Sequence, residues 1–281
     1  MIVVTGATGN VGGALVRALA EAGARTTATS RNVSAADVPG QVAHRRADLA
    51  DPDSLRPVFD GADALFLQNG GPSAHLVDPH AVLGAAKAAG LTRVVLLSSL
   101  GVATRPESHS HGVIGLAFED AVRQSGLEWT VLRPGGFHSN AFAWAEPVRA
   151  HRTVAAPFAD VALPSVDPGD LARVAAAALT AEGHAGQVYQ LTGPAAVTPR
   201  QQAGSLAAAL GEPVRFVEQT REEARAQLLR FMPAPVAETT LDILGSPTPD
   251  ELRVSPDVER ILGRAPRSFA DWARRHVGAF R

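Results

Sequence analysis

The stretch Ile2-Val3-Val4-Thr5-Gly6-Ala7-Thr8-Gly9-Asn10-Val11-Gly12 decides the fold. An apolar run at 2–4 reads as a short buried strand. Beyond the turn, Val11, Leu15, Val16, Leu19 and Ala20 recur at three- and four-residue spacing, the mark of one buried helix face. A tight glycine turn between such a strand and such a helix is a seat for a dinucleotide pyrophosphate. Gly6 lets the backbone turn, Gly9 lets it approach the phosphates without a side chain, and Gly12 lets the helix pack closely on the sheet. Thr8, Asn10 and Val11 complete the cradle, and the helix start offers unpaired N–H groups and a positive dipole end to the anion. Spaced G-x-x-G-x-x-G, the glycines alone are a weak signal; at the first strand-to-helix turn they are a strong one.

Composition narrows the class. The chain has 281 residues, 46% of them hydrophobic, which suits one large globular domain or a large domain with an appendage. A formal charge of −2 lacks the clustered basic excess of a nucleic-acid binder. With no cysteine there is no disulfide, thiolate nucleophile or cysteine metal site, and the nine histidines show no metal spacing. No stretch reaches membrane-spanning length, and the chain opens on a structural strand in place of a leader, so the expected location is the cytoplasm. Asn32-Val33-Ser34 matches a glycosylation sequon, a chance match there. The sequence leaves a homodimer open. Lys87 is the only lysine and Tyr189 the only tyrosine.

The first half alternates strand-like and helix-like segments, as a Rossmann-type, doubly wound parallel α/β sheet requires. Strands are expected at 1–5, 25–30, 42–46, 63–68, 93–98 and 129–132, and helices near 11–22, 51–59, 75–89 and 112–125. Beyond residue 150 the texture changes. A helix capped by Asp170 or Gly169 runs from Leu171 to Thr180, a strand covers 187–191, an alanine-rich helix covers 197–210, and a short strand covers 214–217. Residues 220–281 read as mostly helical between prolines. The expected organisation is a dinucleotide-binding domain over 1–150 and a small, mostly helical substrate lobe over 151–281, packed on the sheet and able to return strands to it.

The strand ends nominate cofactor contacts. The second strand closes on Ser30-Arg31-Asn32 with no carboxylate; Ser30 and Arg31 can hold a 2′-phosphate, so NADP is expected over NAD, which stays open. Arg31 as a plain solvated loop residue is the alternative. Asp48-Leu49 follows the third strand, where a carboxylate either takes the adenine amino group or caps the helix beginning near Asp51. Gln68-Asn69-Gly70 closes the fourth strand beside the cofactor path, and Ser98-Ser99 closes the fifth on the nicotinamide side.

Five segments together resemble the NmrA-like group of atypical short-chain dehydrogenase/reductases. They are Thr5 to Gly12, Ser30-Arg31, Leu97-Ser98-Ser99-Leu100-Gly101, Ser125-Gly126-Leu127-Glu128-Trp129-Thr130, and the run Val131 to Asn140 with its Arg133-Pro134-Gly135-Gly136-Phe137-His138. The tail, with Val254 to Val258 and Ser268 to Ala273, is similar to the ending of bacterial members. The resemblance implies an NAD(P)-binding domain with a substrate-facing lobe, and it runs Arg133-Pro134-Gly135-Gly136-Phe137 beside the nicotinamide ring, with Pro134, Gly135 and Phe137 as cofactor contacts. One departure governs the chemistry. The wider superfamily uses a tyrosine proton donor and a lysine four residues later; counted back from Glu119, those places hold His111 and Gly115. No Tyr–Lys pair can be assembled locally.

Two readings of function follow. One is an NADPH-dependent reductase of a flat conjugated acceptor (a quinone, an enone or a polyketide-like aromatic), whose product anion is delocalised and needs no strong acid. If a protein acid takes part, His111 is the first candidate, with His109 and His138 behind it, and an exposed helix start is the plain alternative for 109–111. Ser98 is a second catalytic candidate, although no G-x-S-x-G elbow supports it as a nucleophile. His138, Asn140 and Trp144 are candidate substrate-pocket residues, and Phe137, Phe158, Phe231 and Met232 offer an apolar wall or ordinary core. The other reading is a non-catalytic NADP-binding redox sensor of the NmrA type, which would retain the glycines and lack the catalytic pair.

Overall fold

A computed structural model describes residues 1–70, 74–108 and 112–281. Seven strands, β1 (Ile2–Thr5), β2 (Thr26–Ser30), β3 (Ala43–Arg46), β4 (Ala64–Gln68), β5 (Arg93–Leu97), β6 (Glu128–Pro134) and, after the separate strand β7 (Thr153–Pro157), β8 (Gln187–Leu191), form one sheet. Its order is β3-β2-β1-β4-β5-β6-β8, and every pairing is parallel. The chain winds outward from β1 to β3, returns to β1, and continues the other way from β4. That reversal opens a crevice at the carboxyl ends of β1 and β4, where ligands of such sheets bind.

The helices are α1 (Asn10–Glu21), α2 (Pro52–Phe59), α3 (Pro79–Ala88), α4 (Gly101–Thr104), α5 (Gly112–Gln124), α6 (Ala145–His151), α7 (Pro168–Thr180), α8 (Pro199–Leu210), α9 (Arg221–Leu228), α10 (Ala234–Gly245), α11 (Asp257–Leu262) and α12 (Phe269–His276). Alternate residues of each central strand serve opposite layers. Ile2, Val4, Ala28, Phe66, Val95 and Leu132 pack with α1 and α7. Val3, Leu65, Leu67, Val94, Leu96 and Val131 pack with α2, α3 and α5. Burial on both faces is why these strands read as unbroken apolar runs.

Helix and strand limits shift where capping or pairing outranks periodicity. The helix expected at 75–89 begins at Pro79, because Asp78 caps it by accepting from the N–H groups of His80 and Ala81. The strand expected at 129–132 extends to Glu128–Pro134, because it pairs with β5 on one side and β8 on the other. The helix expected to be capped by Asp170 or Gly169 is capped by Asp167, whose carboxylate accepts from Gly169 N at 2.7 Å, with Pro168 at its first position. Asp170 lies instead inside the first turn, wholly buried.

Beyond residue 150, α7 packs on α1 and β8 extends the main sheet beside β6. A second, two-stranded parallel sheet joins β7 to β9 (Arg215–Gln219). It rests on a separate core in which Val148, Val154 and Leu206 meet Phe269, Trp272 and Phe280 of the C-terminal segment.

Candidate dinucleotide and active site

The glycine turn is built as its sequence demands. Gly6 takes a φ of +61°, a left-handed conformation that glycine adopts without strain. A Cβ on Gly12 would lie 2.2 Å from the Gly6 carbonyl oxygen, so only glycine lets the start of α1 close against the turn. Gly9 differs from both. Its φ of −84° and ψ of 173° are ordinary extended backbone, and a Cβ there would meet the Gly6 oxygen at 3.2 Å, a tight contact relieved by a shift of a few tenths of an ångström. The backbone angles at position 9 do not themselves demand glycine, and the bare turn leaves the approach to the start of α1 open. No side chain caps α1, and no acidic residue stands in its first turn. Its first N–H groups and positive dipole end are therefore presented to an anion.

Gln68 lies across this turn, 3.2 Å from where a Cβ on Gly6 would stand. Its backbone N–H donates to Thr5 Oγ1 at 2.8 Å, which fixes the end of β4 to the end of β1. Its side-chain oxygen is buried and, among the described residues, has no hydrogen-bond partner. The orphaned Gln68 oxygen calls for a donor, such as a ribose hydroxyl or carboxamide N–H, while the uncapped helix start calls for an anion, and a dinucleotide carries both. The residues present thus fit a dinucleotide. Thr8, Gly9, Asn10, Val11 and Gly12 would hold its pyrophosphate, and Gln68, Asn69 and Gly70 would line its path. Thr8 Oγ1 donates to Ser30 Oγ at 3.4 Å, joining the turn to the end of β2, where Arg31 is exposed. Asn10 Nδ2 donates to Ser139 Oγ at 3.2 Å, joining the same turn to the loop after β6.

Farther out, Asp48 turns its carboxylate to its own loop, accepting from Ala50 N at 3.0 Å. Asp51, and not Asp48, caps α2. Leu49 is half-buried against the α2 layer.

At the opposite end of the crevice the structure reveals a feature the candidate residues did not include. Glu119 of α5 is fully buried, and Arg133 of β6 grips it with two hydrogen bonds of 2.8 and 2.6 Å. Arg123 adds a third at 2.7 Å and Ser98 a fourth, its hydroxyl donating to the carboxylate at 2.7 Å. Burial pushes the Glu119 carboxyl up, but Arg133, Ser98 and Arg123 outweigh it and hold it below its ordinary range. Ser98, named as a catalytic candidate, therefore spends its hydroxyl hydrogen on a hydrogen bond to Glu119. Ser99 Oγ accepts from Gly101 N at 3.1 Å. A sequence signal for this cluster existed: Glu119 sits beside Phe118, Ala121 and Val122, on the buried face of an apolar helix pattern.

Pro134 ends β6, and Gly135 and Phe137 follow it, with Leu100 N donating to Pro134 O and Gly135 N donating to Leu191 O. His138 turns away from solvent. Its ring is buried against Phe269 and Trp272, with Nδ1 2.9 Å from Ser165 Oγ and Nε2 3.3 Å from Arg267 O. Burial pushes its pKa down and keeps the ring neutral. An acceptor could reach it only by displacing those partners. Asn140 is exposed, and Trp144 is half-buried against the lobe core. His109 and His111 lie outside the described residues.

The residues of a Tyr–Lys pair are elsewhere. Lys87 Nζ donates to Ser125 O, before the amino end of β6 and so at the opposite pole of the sheet. Tyr189 lies on the edge strand β8 with its hydroxyl 2.9 Å from His184 Nδ1. Gly115, where the lysine would stand, is packed so that a Cβ would lie 2.5 Å from Val102 Cγ2.

Comparison with known proteins agrees with this geometry. Residues 6–182, more than half of the chain, match the NAD(P)H-binding family. The chain is 38% identical, over its whole length and 99% of the relative, to the (4-alkanoyl-5-oxo-2,5-dihydrofuran-3-yl)methyl phosphate reductase of Streptomyces griseus. It is 32% identical, with the same coverage, to the NAD(P)H azoreductase of Xenophilus azovorans. The Escherichia coli NADPH-dependent quinone oxidoreductase complexed with NADPH superimposes with a TM-score of 0.81 at 25% identity, over 98% of this chain and 99% of that one. Among the described residues no helix is long and apolar enough to cross a membrane. With the glycine turn and the sheet order in place, the chain belongs to the NAD(P)H-binding family and is an NAD(P)H-dependent oxidoreductase.

Proposed function

We propose that the acceptor is a flat conjugated system, foremost a carbonyl-activated carbon–carbon double bond, with quinones accepted on the same grounds. The observation that carries this reading is that none of the described residues is placed as an acid for an isolated carbonyl. Lys87 and Tyr189 are tied up away from the crevice, Gly115 has no room for a lysine, and Ser98 donates to Glu119. When bound, the nicotinamide cofactor supplies a hydride; the chain's share of the work is to hold, orient and exclude. Reduction of an isolated ketone builds a localised alkoxide that needs a proton donor in the transition state. Reduction of an enone or quinone leaves an enolate or quinol anion, spread over several atoms, which can take its proton from water afterwards. His111 stays the protein group that its place in the sequence nominates for that proton.

The relatives point the same way. The Streptomyces protein's name describes a ring alkene conjugated to two carbonyls, and the other two names describe an azo bond and a quinone. All are electron-poor conjugated acceptors, and the alkene belongs to a relative 38% identical over the whole chain. Following NADPH oxidation with an acyl dihydrofuranone, a benzoquinone, benzaldehyde and cyclohexanone tests the proposal. The conjugated acceptors should exceed the isolated carbonyls in kcat/KM by about 100-fold or more, the usual worth of a positioned general acid, which the described residues do not supply. Equal or faster turnover of cyclohexanone would overturn it.

A further inference from the structure

The far end of the cofactor crevice carries a second cation, beyond Arg31, that the strand register aims at the same point. In the β2–β3 pairing, Ser30 stands opposite Arg46. Parallel neighbours in register put their side chains on one face of the sheet, and Ser30 uses that face to meet Thr8 of the glycine turn. Arg46 is exposed, and its Nε donates to Val33 O at 3.3 Å, which draws the guanidinium under the turn at residues 31–33. Among the described residues its two terminal nitrogens have no protein partner and it joins no salt bridge. The carboxylate of Asp37 is held by the Ser34 hydroxyl and N–H, and that of Asp48 by Ala50 N. Nothing acidic therefore competes for Arg46 from the adjoining loops. The neighbouring Arg45 belongs to the other face: its partner is Thr29, and its Nη1 donates to Pro57 O at 3.1 Å.

We infer that Arg46 is a specificity-determining residue for the cofactor, its terminal nitrogens binding the 2′-phosphate of NADP from the β3 side while Ser30 and Arg31 bind it from β2. A guanidinium offers parallel N–H donors matched to phosphate oxygens, and two such groups from neighbouring strands would clamp the dianion from both sides. The inference rests on the adenosine end of the cofactor lying at the tip of β2.

Calorimetric titration of NADPH and NADH into the native chain, Arg46→Gln, Arg31→Gln and Arg45→Gln tests it without any turnover. Arg46→Gln should weaken NADPH binding roughly 10- to 100-fold, the usual worth of hydrogen bonds to a charged group, and leave NADH within about 2-fold. Arg45→Gln, on the opposite face, should leave both unchanged. If Arg31→Gln selectively weakens NADPH and Arg46→Gln does not, Arg46 has no part in the site although the cofactor lies as described. Equal loss of both nucleotides in Arg46→Gln would make the residue merely structural and also overturn the assignment. If neither Arg46→Gln nor Arg31→Gln separates the two nucleotides, the placement of the adenosine end itself fails.

Discussion

Glu119 has no exposed surface, yet it is charged, because two guanidiniums and a hydroxyl replace the water it has lost. Removing that charge strands Arg133 and Arg123 and frees the Ser98 hydroxyl. Breaking such a buried set from one side costs about 3 kcal/mol or more, so Glu119→Gln should unfold at distinctly lower denaturant than the native chain at pH 7. Its carboxyl is held low in the folded protein, so the stabilisation is complete above the ordinary glutamate pKa of about 4.3. It is lost as pH falls through the lower, folded value. Denaturation midpoints should accordingly converge as the solution is acidified. A gap that stays constant through that range would show that the glutamate is not ionised in its pocket. At this scale the sequence was half legible: Ser98 could be placed at the end of β5 from its apolar run, but not the direction of its proton, which depends on a carboxylate twenty-one residues later.

Among the elements, α7 shows how a local signal divides between local and distant partners. Asp167-Pro168-Gly169-Asp170 offers two carboxylates three residues apart, and either could cap a helix. Asp167 does so, and Asp170 is taken by the C-terminal segment, with Arg264 Nη2 at 2.6 Å and the backbone N–H of Arg267 at 2.7 Å. Arg275 also reaches Asp167. No pattern in the sequence links positions so far apart, so the local reading, which offers Asp170 or Gly169 as the cap, misses Asp167. The ion pairs fasten residues 264–276 beneath the loop that carries Phe137 and His138, since His138 itself bonds to Arg267 O. Asp170→Asn should release this latch. Losing a charged hydrogen bond raises local opening roughly 10-fold, so amide exchange over 264–276 should quicken by that order while β1, β4 and β5 keep their protection. Uniform acceleration across the sheet would instead make Asp170 part of the global core.

Across the whole molecule, the parts read best from sequence are those whose neighbours in space are also neighbours in the chain. The parallel sheet is legible because each strand, buried on both faces, announces itself as an apolar run between helices. The β7–β9 pair is harder to read, since its partners are some sixty residues apart and neither strand has a continuous buried run. The site follows the same rule. Thr5 to Gly12 could be read directly, whereas Arg46 beside Ser30 and Gln68 over Gly6 emerge only when the strands are laid side by side. What unites the account is that the first turn is left bare for a dinucleotide. Position 9 isolates this, because Gly6 is needed for its φ and Gly12 for helix packing, while Gly9 sits in ordinary backbone with space that a shift of a few tenths of an ångström completes. The decisive measurement is NADPH titration calorimetry on the native chain and Gly9→Leu, paired with their thermal melts. Saturable binding by the native chain, abolished in a Gly9→Leu chain that still melts cooperatively, is the predicted result; undiminished binding by a folded Gly9→Leu chain would contradict it.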